Sequence, residues 1–376
     1  FYFGVISIIL LLLSFSFIYF KAVKVKMLPF DNKNEFQVII DYPPDTPLEK
    51  SVAYSRELSI RLLKEPEIKK IQIYGGESAP FSFSGMVKHT FLRNEEYMND
   101  LQILLSDKGK RKESSHKIIE KLRPIIAEFG KEKNAVTKVL EIPPGPPVMS
   151  TMVAEVYGPT ENDRRKVAKE ILEIFASEKS VVDLDYSWRE GKTRKVYDYD
   201  QVKGGVMGAR SMQVVGLGSF IFRETPLLSL AESNAPEETQ VSLSLDNKIR
   251  SGNSPFQGSK ISSFESGVIP VDSLLKEPKL FPNEVLHRKN LKPVSYVLSE
   301  LSGAEEAPVY GMLKLAPKIN YPTQTADVPW NTNSPIIKWD GEWFITYEVF
   351  RDLGGAFAVV MVLIYILVLG WFKSYT

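Results

Sequence analysis

The chain has 376 residues, 47 basic against 46 acidic side chains, no cysteine and three histidines. A disulfide scaffold and a cysteine-built zinc site are excluded, and a net charge of +1 leaves no electrostatic footprint for nucleic acid. The ordinary average of 44% hydrophobic residues hides two charge-free runs, which exclude a simple cytosolic enzyme.

Those runs are residues 1–20 (FYFGVISIILLLLSFSFIYF) and 353–372 (LGGAFAVVMVLIYILVLGWF). At about 1.5 Å per residue each is long enough to cross a hydrocarbon core about 30 Å thick. The chain starts on Phe1 inside an apolar run, without the basic start or cleavage site of a signal peptide. It ends four residues past the second run, so both ends are expected to be cuts inside a longer polytopic protein. Lys21, Lys24, Lys26 and Lys373 flank the runs. Long domains cross membranes largely regardless of charge, so these lysines do not set the orientation.

Residues 36–42 (FQVIIDY) predict a strand. Thr46, Pro47 and Glu49 then form a capping-box pattern for a helix over 47–64. Strands are expected at 68–74 and 98–105, a helix at 114–129 and a strand at 136–142, ended by PPGPP at 143–147. Ile118, Leu122, Ile125, Ile126 and Phe129 make the apolar stripe of that second helix. The order strand–helix–strand, taken twice, is the split βαβ, ferredoxin-like pattern.

The pattern restarts with a strand at 151–157, a helix at 161–177 and a strand at 180–187, an internal structural repeat. Val167, Ile171, Ile174 and Phe175 share one side of the helix. Residues 196–288 carry no long helical stripe and predict a β-rich insertion. A strand at 292–299 can rejoin the second sheet. Residues 303–335 are Pro-rich and predict irregular structure, and 336–347 predict a hairpin around Asp340-Gly341.

Little in the chain points to catalysis. His89, His116 and His287 are scattered, with no HExxH and no Walker A pattern, and predict surface or structural roles rather than an enzyme. Gly216-Leu217-Gly218 lacks the third glycine of a dinucleotide site. Met86, Met98, Met149 and Met152 are thioethers that could take Cu(I), but Met152 opens an alternating strand where core packing is the expected job, so no metal site is assigned. Phe81-Ser82-Phe83-Ser84-Gly85, with Phe91, places aromatics on a small-residue loop, a pattern that suits either an apolar ligand or a covered sheet edge. Neither apolar run holds Asp, Glu, Lys, Arg or His, so the coupling residues of an ion-driven transporter are expected in spans outside this segment.

Three stretches carry a family resemblance: VKMLPFDNKNEFQVIIDYPPDTPLE (25–49), EIPPGPPVMSTMVAEVYGP (141–159) and KWDGEWFITYEVFRDLGGAFAVVMVLIYILVLGWF (338–372). With them the chain resembles the second half of a resistance-nodulation-division (RND) efflux transporter permease. The resemblance implies an α+β membrane protein with two ferredoxin-like porter subdomains, the second split by a β-rich docking insert, flanked by two transmembrane helices. Residues 1–20 and 353–372 would be the seventh and eighth helices. The first porter subdomain would be 34–147, the second 150–195 with 290–348, and the docking insert 196–289. Residues 21–352 would lie in the periplasm of a Gram-negative inner membrane protein.

The resemblance further implies a homotrimeric, proton-driven antiporter of the multidrug-resistance kind, with a periplasmic adaptor and an outer-membrane channel as partners. It would export small amphiphilic compounds. No cofactor is implied beyond the proton gradient, whose relay residues belong to a helix outside this segment. Phe81 and Phe83 fall where relatives carry a loop between two substrate pockets, Phe91 is expected to join them in the cleft, and Val139 and Ile142, beside Leu140 and Glu141, fall where relatives line the deeper pocket. These five are the expected substrate contacts. The rival readings are a two-span periplasmic ligand-binding sensor and an RND-related lipid or secretion transporter.

Overall fold

The structure, a computed structural model, describes residues 2–20, 30–80, 83–141, 148–189, 193–232, 238–250, 255–263, 265–282 and 285–373. It divides into two units: Phe1–Lys192 with Glu284–Thr376, and Thr193–Asn283.

The larger unit contains two α+β sandwiches. In the first, strands Glu35–Asp41, Ile68–Gly75, Met98–Leu105 and Val136–Leu140 form one antiparallel sheet. Numbered in chain order, they lie as 2-3-1-4. Helices Leu48–Leu62 and Ser115–Lys133 supply the apolar layer. Alternation along the first strand sends Phe36, Val38 and Ile40 into this core, where they meet Leu58, Leu62, Ile118, Leu122, Ile126 and Phe129. Each such side chain contributes about 1.5–3 kcal/mol on burial. Ile125, placed on the stripe by spacing, is 39% exposed at the stripe's margin.

The second sandwich repeats this order. Strands Met152–Tyr157, Val181–Tyr186, Lys292–Leu301 and Ile336–Asp340 pair so that the third lies between the first and second, and the fourth flanks the first. Helix Glu161–Ala176 packs Val167, Ala168, Ile171 and Phe175 against Met152, Ala154, Val156 and Trp339. Val153 and Tyr157 lie with Val294 and Tyr296 in a separate apolar cluster.

Several local expectations give way. Thr46 does not cap the first helix: its N-cap is Pro47, which makes no side-chain cap. Within 303–335 the chain forms a helix, Pro308–Leu315, whose Met312 and Leu315 join the second core. Asp340-Gly341 makes no hairpin. The strand ends at Asp340, and Gly341, at φ 82°, feeds directly into the Glu342–Phe372 helix. A Cβ on Gly341 would come within 2.5 Å of the Ser150 carbonyl oxygen, so the close approach requires glycine. Among the described residues, this last helix is the one long and apolar enough to cross a bilayer, and Val5–Ser14 is a shorter apolar stretch.

The smaller unit is mixed rather than only β-rich. Helices Gln201–Val206 and Ser211–Phe222 occupy the GGVMGARSMQVVGLGSF stretch. The Asp200 side chain caps the first, accepting from Val202 and Lys203 backbone N–H groups at 3.1 Å. The Gln213 side chain accepts from the Arg210 N–H at 3.0 Å at the start of the second. Among its described residues are three two-stranded ribbons: Thr225–Leu230 with Thr239–Leu243, Lys260–Ser263 with Gly267–Pro270, and Thr193–Val196 with Lys279–Pro282. Its small core gathers Val214, Ile221, Phe256, Ile269, Val271 and Leu274.

Candidate functional site

The two sandwiches meet along their edge strands. Val136–Leu140 closes one sheet and Val181–Tyr186 the other. An edge strand leaves backbone donors without a ladder partner. Here the Asp183 carboxylate, from the second sandwich, takes a hydrogen bond from the Val139 N–H of the first. Asp183 stands at φ 51°, beside the point where the register with Lys292–Leu301 shifts between Leu298 and Glu300. Such a shift re-aims a side chain, and Asp183 also pairs with Arg123.

Opposite charges line this junction. From the first sandwich come Lys88, Lys138, Arg123 and His116; from the second, Glu300, Asp185, Asp183 and Glu306 answer them. Lys88 Nζ lies 2.6 Å from Glu300 Oε1. Glu300 also accepts from Ser150 Oγ at 3.1 Å and the Thr151 N–H at 3.2 Å. Burial would raise the Glu300 carboxyl, but Lys88, Thr151 and Arg123 outweigh it and hold the pKa down to about 2. One pair runs the other way. Asp41, at the end of its strand, is held by Arg93 at 2.5 Å and by Arg189 of the second sandwich. Burial opposes its charge, yet the two guanidiniums keep its carboxyl well below the usual range.

A cavity of about 580 Å³ opens beside this junction. Val87 and His89 reach it from the first sandwich; Met149, Val153, Tyr296, Val328, Phe344 and Ile345 give it an apolar wall. Glu155, Lys289, Lys338 and Asp340 complete the lining. Glu155 and Lys338 are register partners on neighbouring strands. Lys338 lies 3.2 Å from Asp340 and 3.6 Å from Glu155, and Lys289 bridges both carboxylates. The Tyr157 hydroxyl donates to Glu155 at 2.8 Å. Two cations and two anions thus neutralise one another, which is what a low-dielectric setting demands of buried charge. Volume, apolar wall and few polar groups fall in the range of small-molecule sites.

The expected contact residues are dispersed. Val139 is buried in the first core and borders two small cavities at the junction. Phe91 lies on a 3-10 turn, Thr90–Leu92, and is 43% exposed. Phe83 begins a short helix, Phe83–Val87, while its side chain, with Phe81 and Ile142, lies outside the described residues. Met149 borders the large cavity, and Met152 is buried in the second core. Sequence reasoning missed Glu155, Lys338, Lys289 and Asp340. For Glu155, Lys338 and Asp340 the signal is a charge in an otherwise apolar strand, as in MVAEVY and IIKWD, whereas Lys289 lies in the polar strand HRK and carries none.

The chain matches the AcrB/AcrD/AcrF family over residues 3–375. No curated relative matches it. Among solved structures it is similar to a heavy metal efflux pump in two crystal forms, each at 14% identity. For form I the TM-score is 0.69, with 91% of this chain and 34% of that one covered. For form II it is 0.71, with 99% and 37% covered. The chain therefore spans little more than a third of the solved proteins it matches, and at this identity the likeness is one of fold. A family match across nearly the whole chain decides its membership: the chain belongs to the AcrB/AcrD/AcrF family of RND efflux permeases.

Proposed function

We propose that the chain forms the periplasmic porter and docking region of a proton-driven inner-membrane pump that exports small amphiphilic compounds. In this reading the two sandwiches are porter subdomains, residues 196–289 dock, and the helices at either end are membrane spans. The pump works as a homotrimer with an adaptor and an outer-membrane channel. The chain performs no covalent chemistry and needs no cofactor of its own. The observation that carries the reading is the cavity of about 580 Å³, with an apolar wall beside a self-neutralised set of charges. Such a surface favours a molecule with one apolar and one polar end.

Export requires that the ligand bind one arrangement of the two subdomains better than another. The junction suits such a shift. Its ion pairs are strong when the edges are closed, and can be exchanged for water when the sandwiches shear apart.

The test is susceptibility in a pump-deficient Gram-negative host expressing the complete permease with its adaptor. Raised resistance to cationic or zwitterionic amphiphiles, abolished by an uncoupler, is the expected result. Resistance confined to metal salts would replace the substrate class. No resistance, with trimer present in the membrane, would transfer the reading to lipid or secretion transport.

A further inference from the structure

The second sandwich holds a buried guanidinium without a counter-ion. Arg164 lies in the first turn of the Glu161–Ala176 helix and is only 7% exposed. One arm, Nη1, donates to the Gly158 carbonyl oxygen at 3.1 Å. Its Nε is buried with no acceptor, and Arg164 forms no ion pair with the described residues. Burial lowers its pKa, and the nearby Glu161 charge offsets that only in part. Lys338, comparably buried in the same sandwich, has both Asp340 and Glu155 beside it. A buried charge left unpaired in this way is costly, so the missing partner of Arg164 is informative.

Arg164 borders a cavity of about 80 Å³ that shares no lining residue with the large one. Arg165 also lines it, paired with Glu161 and lying over the Trp188 ring at 5.8 Å. At the rim stands Arg288, exposed on the short strand His287–Lys289 and without an ion pair among the described residues. The Ser187 hydroxyl accepts from the Tyr296 N–H at 2.9 Å, and among the described residues no acceptor takes its proton. His287 Nε2 faces the Ser187 carbonyl oxygen at 3.2 Å, and burial lowers the ring's pKa, which keeps it neutral.

Three arginines and one glutamate leave two positive charges in this lining. The first turn of the helix adds the partial positive charge of its N-terminus. Size sets the class of ligand. Water occupies about 30 Å³ in the liquid, so the cavity holds a group of a few heavy atoms and not a drug-sized molecule of about 300 Å³ or more. The guanidinium fork matches the paired oxygens of an oxyanion.

We propose that Arg164, Arg165 and Arg288, with the Ser187 hydroxyl, bind one small tetrahedral oxyanion, phosphate or sulfate, at the start of the Glu161–Ala176 helix. The ion joins that helix to the His287–Lys289 strand within a single sandwich. The assignment does not rest on the transport reading.

The experiment is calorimetric titration of the full chain in detergent with sodium phosphate and, separately, sodium sulfate, at an ionic strength held constant with NaCl. One saturable site per chain, shared by the two anions in competition, is expected. Arg164→Gln should weaken binding about tenfold or more, the loss of a charged hydrogen bond. Arg288→Gln, at the exposed rim where folding is not at stake, should weaken it about two- to fivefold. Arg56→Gln, exposed in the first sandwich, should leave it unchanged. Saturating phosphate should raise Tm in the parent chain above the matched NaCl control. No saturable heat from either anion in the unaltered chain would overturn the site. So would unchanged affinity in Arg164→Gln or, if that variant does not fold, in Arg288→Gln. Binding of glycerol 3-phosphate more tightly than phosphate would overturn the free ion in favour of a phosphate ester such as a lipid headgroup.

Discussion

Glu300 shows what a single side chain does at the junction. It gathers Lys88, Ser150 and Thr151 around one carboxylate, and, against the burial that would raise it, Lys88, Thr151 and Arg123 hold its pKa down to about 2. A depressed carboxyl stabilises the fold fully above its unfolded value near 4.5, and that stabilisation is lost as pH falls through about 2. At 1.36 kcal/mol per unit the effect amounts to about 3 kcal/mol. Glu300→Gln should therefore lower Tm at pH 7 and flatten its fall between about pH 4.5 and 2, as read by thermal scanning of the detergent-solubilised chain. A parallel acid limb in the variant and its parent would place the carboxylate's stabilisation elsewhere. Lys88, left beside a neutral amide, adds to the loss at neutral pH, since breaking a buried pair from one side costs about 3–5 kcal/mol.

At the scale of elements, the two sandwiches share an order but not their local devices. The Glu161–Ala176 helix starts on Thr160, whose side chain accepts from the Asp163 N–H at 3.2 Å. The Leu48–Leu62 helix starts on Pro47 without such a bond, although Thr46 and Glu49 stand at capping-box spacing. Thr160→Ala should cost about 1 kcal/mol, while Thr46→Ala should cost no more than a few tenths through helix capping. Equal shifts in Tm for the two would contradict the difference in caps. The same lesson appears at Asp340-Gly341. The dipeptide is a turn signal in both readings, but whether a strand or a helix follows depends on the residues after it. Glu342–Phe372 joins a polar first turn to a long apolar run, and the helix absorbs both.

For the whole molecule, the junction between edge strands is where motion and ligand access are coupled in the proposed pump. This chain contributes no cysteine, so a designed pair needs only the cysteines elsewhere in the complete permease to be replaced first. Lys138 and Asp185 form an ion pair across the junction. With Lys138→Cys and Asp185→Cys together in the complete permease, a short reducible thiosulfonate linker should abolish export, and reduction should restore it. Full export in the cross-linked protein would exclude shear between the two sandwiches as the transport step. The single variants, treated with the same reagent, should keep their activity and so separate tethering from modification.

What the linear sequence determined about this protein is local and periodic. Alternation places Phe36, Val38 and Ile40 on one face of a strand, and i, i+4 spacing places Ile118, Leu122 and Ile126 on one face of a helix. These periods, repeated, carry the order of both sandwiches, and unbroken apolarity marks the last helix. The helices between 201 and 222 were hidden because Val202, Met212 and Val215 are exposed, so no clean stripe separates the faces. Only the tertiary structure decided the site. His116 and Glu306, or Lys88 and Glu300, are far apart in the chain, and no period relates them. They meet because two sheets bring their edges together, and a buried charge is tolerated there only where the other sheet supplies its counter-ion.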